Sequence, residues 1–367
     1  MMNNNVIDLF AGCGGFSVGF ERAGFNIAKA VEFDKQIAQT YSYNHKGTHL
    51  IIDDIGNVDN DKYFSYKEAP VIVGGPPCQG FSMAGARIRA NSFIDDPRNY
   101  LFKHYVNVVK IVRPQVFVLE NVKGILTMKQ GDIFKEIVKT FSSPKTFDGD
   151  RYYLHYKVVK AVDYGIPQKR ERVVIIGRLN KDFDIDDMFE ETAKSIQNEL
   201  PHFFDKVTVQ DAIGDLPLPS ETGTTTLTNR SSSFYASSLN NGVTEIHNHV
   251  ATHHSTLAKS RMNKVHCGEN WTVLDEDIKS VHSGAYGRLL PDAPSATITT
   301  RFDTPSGGRF THPTEDRTIT PREAARIQSF PDSFIFEGSR TSICKQIGNA
   351  VPPKMAYFLA QLVKQLI

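Results

Sequence analysis

Cysteine is scarce in this chain and never closely paired: Cys13, Cys78, Cys267 and Cys344 are the only four in 367 residues. With no Cys-x-x-Cys pair, neither a disulfide framework nor a zinc site is indicated, and a reducing, cytoplasmic compartment is expected. Long apolar runs are missing too, so no transmembrane helix and no membrane partner is expected. The stretch Met1 to Asn5 has neither the basic region nor the apolar core of a secretion signal. An excess of either charge is absent. A net charge of +1 neither demands nor excludes a nucleic-acid partner, because a local basic patch is enough. His249, His253 and His254 lie close together, but without His-Glu-x-x-His spacing or cysteine partners they do not indicate a metal. Contact with phosphate or with a base is the better expectation for them.

Hydrophobic residues make up 40% of the chain, enough for a real core, and the length suits two domains or one large domain with an insertion. Val6 to Phe10 reads as a strand and runs into the glycine loop Ala11-Gly12-Cys13-Gly14-Gly15. A helix from about Gly15 to Ala23 should follow, stopped by Gly24. This is how a nucleotide-binding βαβ unit opens. A second strand, Ile27 to Val31, ends at Glu32, placed to accept hydrogen bonds from ribose hydroxyls. The third glycine of the dinucleotide fingerprint is missing, since Ser17 stands there. That favours an adenosine ligand without a pyrophosphate. A third strand ends at Asp53-Asp54-Ile55. A carboxylate there can accept from an exocyclic amine and Ile55 can pack on a ring, or the turn can simply cap a helix.

Val71-Ile72-Val73 reads as a buried strand ending in Gly74-Gly75-Pro76-Pro77-Cys78-Gln79-Gly80-Phe81-Ser82. Cys78 thus sits on a tight turn at a strand's carboxyl end, the edge where open α/β sheets bind ligands. A lone cysteine is more often buried and inert; the rest of the chain must decide. Met83 to Asn99 has no period and carries Arg87 and Arg89. It reads as a lid touching phosphate, or as a merely solvated loop. Tyr100 to Val112 is helical, Gln115 to Leu119 is a strand, and Glu120-Asn121-Val122 stands at its end, either as a cap or as a second catalytic group on the edge of Cys78. Gln168-Lys169-Arg170-Glu171-Arg172 precedes another strand, Val173 to Ile176. Alternating strands and helices up to here imply a mostly parallel, doubly wound domain. Beyond Arg178 the texture changes to an acidic run, a Ser/Thr/Asn-rich stretch and the basic run Asn248 to Lys264. A helical pattern returns from Thr320 and closes with an amphipathic helix, Lys354 to Ile367.

Taken together, in order, these blocks resemble the bacterial-type DNA (cytosine-5)-methyltransferase family. The matching segments are Asp8 to Phe16, Gly74 to Ser82, Glu120 to Val122, Gln168 to Arg172, Arg317 to Gln328 and Gln346 to Pro353. The resemblance implies an α/β fold: a doubly wound, Rossmann-like S-adenosylmethionine-dependent methyltransferase domain with a smaller, loop-rich target-recognition domain. The boundaries it suggests are 1–178 for the catalytic domain, 179–315 for target recognition and 316–367 for a return segment. It implies S-adenosyl-L-methionine as cofactor. Phe10 would stack on the adenine, Glu32 would hold the ribose, and Asp54 with Ile55 would read the adenine. Gly12, Gly14 and Asn349 would lie along the methionine part, with Pro76 also at the cofactor. Cys78 would be the nucleophile, Glu120 would engage ring N3 and the exocyclic amine, and Arg172 would bond O2 with Arg170 nearby. Double-stranded DNA is the expected partner, together with a cognate restriction endonuclease; a monomer is expected. Arg288, Arg301, Arg309 and the run 248–264 are candidates for DNA contacts. Transfer-RNA cytosine-5 methylation is the alternative. A non-catalytic relative is disfavoured by the intact Cys78, Glu120 and Arg172 set, and a nicotinamide oxidoreductase by the missing third glycine.

Overall fold

A computed structural model of the chain describes residues 3–77, 100–227, 233–276, 278 and 282–367. Its first half is built on β1 (Asn5–Leu9), α1 (Gly15–Arg22), β2 (Asn26–Glu32), α2 (Lys35–Asn44), β3 (His49–Ile52), α3 (Asn60–Tyr63), β4 (Val71–Gly74), α4 (Tyr100–Val112), β5 (Val116–Val122), α5 (Asp132–Ser142), β6 (Tyr152–Lys160) and β7 (Glu171–Leu179). The seven strands form one sheet in the order β3-β2-β1-β4-β5-β7-β6. Only β7 runs against the rest: it pairs antiparallel with both β5 and β6. The fold is α/β and Rossmann-like.

Strand sequences such as Val71-Ile72-Val73 are apolar throughout because successive side chains point to opposite faces and both faces are covered. Val6, Val71, Val73, Val116, Val118, Val174 and Ile176 face one core, where α1 packs. Ile7, Leu9, Ile72, Phe117, Leu119, Val173 and Ile175 face the other, against α4 and α5. Asp34 caps α2, its carboxylate accepting from the Gln36 and Ile37 N–H groups.

The second half contains α6 (Ile185–Glu199), α7 (Val209–Ile213), β8 (Thr225–Thr226), α8 (Phe234–Asn240), β9 (Glu245–Ile246), α9 (Thr256–Lys264), α10 (Pro321–Ile327), α11 (Arg340–Asn349) and α12 (Pro353–Leu366). The acidic run after Arg178 is α6, and it lies on the sheet rather than apart from it. Ile185, Phe189, Ile196 and Phe203 bury in the same cluster as α1 and α12. A third cluster joins Val207, Val209, Tyr235, Leu239, Leu289, Ile298 and Phe310 to Ala324, Ile327, Phe330, Ile343 and Ile347. The segment after 315 therefore divides, with α10 and α11 serving this cluster and α12 serving the sheet.

The return of the chain end to the first loop is explicit in the packing. A Cβ at Gly15 would lie 2.2 Å from the Val351 carbonyl, and one at Gly19 would lie 2.5 Å from Ala356 Cβ. The Cys13 thiol donates to the Gln346 carbonyl at 3.6 Å. Glycine is required at Gly15 because the Val351 backbone before α12 presses on it, and at Gly19 because α12 crosses α1 at backbone contact. No helix among the described residues is long and apolar enough to cross a membrane.

Candidate active site

The strand order reverses direction between β1 and β4, since the chain first builds outward to β3 and then crosses to β4. Ligands of open α/β sheets bind outside the carboxyl ends of the strands at such a switch point. The loops after β1, β2 and β4, the end of β5 and, because β7 is reversed, the beginning of β7 all meet at this edge.

Glu120 and Arg172 come together there. Val122 pairs with Arg172 across the β5–β7 ladder and Glu120 pairs with Val174, so the two side chains are diagonal neighbours. Arg172 Nε lies 2.9 Å from Glu120 Oε1, with the carboxylate side chain 9% and the guanidinium 15% exposed. Among the described residues Oε1 finds no aligned hydrogen-bond donor despite this ion contact. The turn after β4 lies beside the same carboxylate: a Cβ on Gly75 would sit 3.4 Å from Glu120 Oε2. Asn121 Nδ2 donates to the Pro76 carbonyl at 3.0 Å, which ties that turn to the end of β5. Cys78 follows two residues later and lies outside the described residues, as does the stretch Met83 to Asn99.

Arg170 is placed differently. Its side chain is buried and donates to the Gly348 carbonyl at 3.1 Å and the Ala350 carbonyl at 3.0 Å. Gln328 Nε2 reinforces the same turn, donating to the Ile347 carbonyl at 2.7 Å. The turn so pinned carries Asn349, whose side chain is exposed. Gln168 is also buried. Its Oε1 accepts from the Ile298 N–H at 2.8 Å, so the segment before β7 fastens the chain near Ser295 to the sheet.

At the other side of the edge the Gly12 N–H donates to Glu32 Oε2 at 2.9 Å and the Asp34 N–H donates to Oε1 at 2.8 Å. Burial pushes the Glu32 carboxyl above the ordinary carboxylate range, and these N–H groups oppose it. Gly12 has φ 57° and a Cβ there would meet nothing within 4 Å, so the loop faces open space. Phe10, a non-glycine residue at φ 58°, closes the turn out of β1 and rests partly buried against the core that holds Ile55. Asp54 accepts from the Gly56 N–H at 2.8 Å and caps its own turn. Phe33, directly after Glu32, is 67% exposed. Sequence reading passed over this ring; an aromatic immediately beyond an acidic strand end was the signal. An open loop, a held carboxylate and apolar surfaces beside it fit an adenosine carrying no phosphates.

Several expected DNA contacts are engaged inside the protein instead. Arg288 is buried and donates to the carbonyls of Val265, Met262, His312 and Glu315 and to Asp316. His249 is buried between Thr320 Oγ1 and the Pro217 carbonyl, and His254 lies against Thr318 Oγ1. Arg261 pairs with Glu276, and Arg309 donates to the Glu269 carbonyl at 2.6 Å. Basic residues in sequence looked available for phosphate, but a loop-rich unit with few strands needs them to satisfy its own carbonyls. Lys259, Lys264 and Arg301 remain exposed. Among the described residues no three His, Cys, Asp or Glu side chains gather as a metal would require.

Residues 4–365 match the family described as C-5 cytosine-specific DNA methylase. The Type II methyltransferase M.DdeI of Desulfomicrobium norvegicum is 36% identical, covering 98% of this chain and 88% of its own. The Type II methyltransferase M1.HphI of Haemophilus parahaemolyticus is 35% identical over 100% of this chain and 88% of its own. Among solved structures, a candidate DNA modification methyltransferase encoded within an E. coli prophage superposes with a TM-score of 0.76 at 29% identity, covering 99% of each chain.

Proposed function

The chain belongs to the C-5 cytosine-specific DNA methylase family and is a DNA (cytosine-5)-methyltransferase, and we propose that, like the Type II methyltransferases it is similar to, it serves a restriction–modification system and acts on a cytosine swung out of duplex DNA through a covalent Cys78 adduct. The observation that carries this reading is the Glu120–Arg172 pair beside the Gly75–Pro77 turn. Carbon 6 is out of reach inside a stacked duplex, so the base must leave the helix.

The Cys78 thiolate adds to carbon 6, and the electrons of the 5,6 double bond move so that carbon 5 becomes nucleophilic. Glu120 shares a proton with ring N3 and accepts from the exocyclic amine, so the charge that develops at N3 is met by a proton, and Arg172 donates to O2 while orienting the Glu120 side chain. S-adenosylmethionine, when bound, supplies an electrophilic sulfonium methyl group. A base, for which water suffices, then takes the carbon 5 proton. The double bond re-forms and the carbon–sulfur bond to Cys78 breaks.

Glu32 would hold the ribose hydroxyls of this cofactor, Phe10, Phe33 and Ile55 would contact its adenine with Asp54 reading the amine, and Gly12, Gly14 and Asn349 would line its amino-acid end, with Pro76 adjoining. Arg170 is read as a positioning residue for Asn349, since its guanidinium is occupied by the Gly348 and Ala350 carbonyls. The recognition unit is taken to begin near Val207, after the α6 segment that belongs to the sheet. A restriction endonuclease of the same specificity is the expected companion.

The test is sequencing of 5-methylcytosine in DNA from cells expressing the protein, beside purified protein offered duplex DNA or transfer RNA. Methylation at one short DNA sequence, lost in Cys78→Ser, is expected. Methylation of transfer RNA alone would overturn the reading, as would turnover that survives in Cys78→Ser.

A further inference from the structure

Beneath the glycine turn after β1 lies a buried imidazole to which the reaction gives no role. His45, just past the end of α2, is 3% exposed. Its Nδ1 sits 2.9 Å from Glu21 Oε2 on α1. With the carboxylate as acceptor, Nδ1 carries a proton, which leaves Nε2 as the ring's other polar atom. That nitrogen is buried with no hydrogen-bond partner. It points at Gly14, the residue that starts α1 in the left-handed region at φ 97°. A Cβ on Gly14 would lie 2.2 Å from Nε2 and 2.8 Å from Cδ2. The imidazole therefore occupies the space that any other residue at 14 would need.

The ring is held on every side. Tyr41 lies against it with ring centres 4.4 Å apart, and Phe334, from the far end of the chain, meets it at 6.1 Å. Tyr41 is fixed in turn, its hydroxyl 2.7 Å from Ser17 Oγ, which donates to Asp8 Oδ2 at 2.7 Å. Its place is therefore set by α1, α2, β1 and the return segment together. The turn above it holds Gly12, whose N–H fixes Glu32.

We infer that His45 is a positioning residue for S-adenosylmethionine: wedged under Gly14 and anchored to Glu21, it sets the height of the Gly12–Gly14 turn and so the register of that turn with Glu32. This rests on the reading of the turn as the cofactor site. A side chain that acts only through the turn should alter cofactor binding and leave DNA binding and the covalent step alone.

The experiment is titration of the full-length protein with S-adenosylmethionine, with steady-state kinetics and DNA binding measured alongside. If the wild-type protein failed to bind the cofactor, the reading of the site would fail. If it binds, His45→Ala should raise the KM for S-adenosylmethionine by roughly ten- to a hundredfold, as expected of a site displaced by a fraction of an ångström. Its kcat and its DNA affinity should stay within about threefold, and His45→Asn, which keeps a donor toward Glu21, should recover part of the loss. Gly14→Ala should abolish cofactor binding both by its strain at φ 97° and by collision with the ring, so it does not isolate His45. A His45→Ala enzyme with unchanged KM, or one weakened equally toward cofactor and DNA, would overturn the inference. Should His45→Ala fail to fold, His45→Asn decides by the same criteria.

Discussion

At the scale of single residues, the site depends on charges held with little water around them. Removing the cation from a buried ion pair leaves its partner uncompensated, at a cost of about 3–5 kcal/mol when burial is complete. Arg172 keeps 15% of its side chain exposed, so Arg172→Ala should fall at or below the lower end of that range. Turnover should fall at least about a hundredfold because Glu120 loses its fixed orientation. Arg172→Lys should recover stability better than turnover, since a lysine restores charge without the planar fork. Thermal melting and single-turnover rates on one duplex separate the two effects, and equal recovery of both would contradict this role. Asp8 gives a pH-dependent case. Burial pushes its carboxyl from 3.8 up to about 7, against the hydrogen bond from Ser17. The folded state therefore holds a proton that the unfolded state has released. Stability from this group is complete below about 3.8 and is lost as pH rises to about 7, at a slope of up to about 1.4 kcal/mol per pH unit. Asp8→Asn cannot titrate, so its stability between pH 5 and 7 should fall less steeply than that of the wild type. Denaturant melts at several pH values measure the two slopes, and parallel curves would rule Asp8 out as the source.

At the scale of elements, the contact of α1 with α12 sets two opposed effects against each other at Gly19. Glycine within a helix is worse than alanine by about 1 kcal/mol, so Gly19→Ala should stabilise α1 taken alone. In the folded chain its methyl would sit 2.5 Å from Ala356 Cβ and from the Tyr357 nitrogen, and 2.6 Å from the Pro353 carbonyl. Two of these neighbours are backbone and cannot turn aside, so overpacking of about 1–3 kcal/mol should win. Gly19→Ala is thus expected to lower the melting temperature and, by lifting α12, to weaken methyl transfer; a melting temperature at or above that of the wild type would show that the helices can slide apart cheaply. Elements of this kind were largely legible in the sequence, because local rules govern them. Tyr100 to Val112 shows helical spacing and is α4, and Thr320 with Glu323 forms a capping box at α10. What could not be read locally was the partner of each element. The acidic run 181–200 gave a surface impression, yet one face of α6 carries Ile185, Phe189 and Ile196 into the core beside α12. Nor does spacing reveal that β7 runs antiparallel, which brings Arg172 to the edge of Glu120 and sends Arg170 inward to the Gly348 turn. The motif blocks point to the candidate site residues, but whether an arginine is free or bound to carbonyls depends on contacts distant in sequence, such as Met262 for Arg288 and Gly348 for Arg170.

At the scale of the whole molecule, the packing does not follow the boundaries that texture suggests. Residues 207–310 and 316–347 share one buried cluster. Across that border Arg317 pairs with Glu315, Arg322 Nε donates to the His247 carbonyl at 2.8 Å, and Arg326 meets Asp215. Arg317 keeps Glu323 and Arg326 keeps Asp332 on their own side, but these arginines are buried, so losing the partners across the border leaves each only partly compensated, at a cost of up to several kcal/mol. Moving residues 179–315 from another family member into this chain should therefore fail twice. It would strip Ile185, Phe189 and Ile196 from the sheet, and it would separate Arg322 from the His247 carbonyl and Arg326 from Asp215. Moving residues 207–336 keeps α6 on the sheet and carries the arginine contacts across as a unit. The larger module also brings its own Ser295–Ile298 segment, which must still accept the backbone contacts and the Gln168 bond that fasten it near Arg170. The expected outcome is an insoluble first chimera, and a soluble second one that methylates the donor's sequence. Solubility, melting temperature and methylation-sensitive sequencing of cellular DNA decide between them. A soluble, active chimera of 179–315 would refute this division, and a soluble 207–336 chimera still methylating the recipient's own sequence would mean that specificity resides elsewhere in the chain.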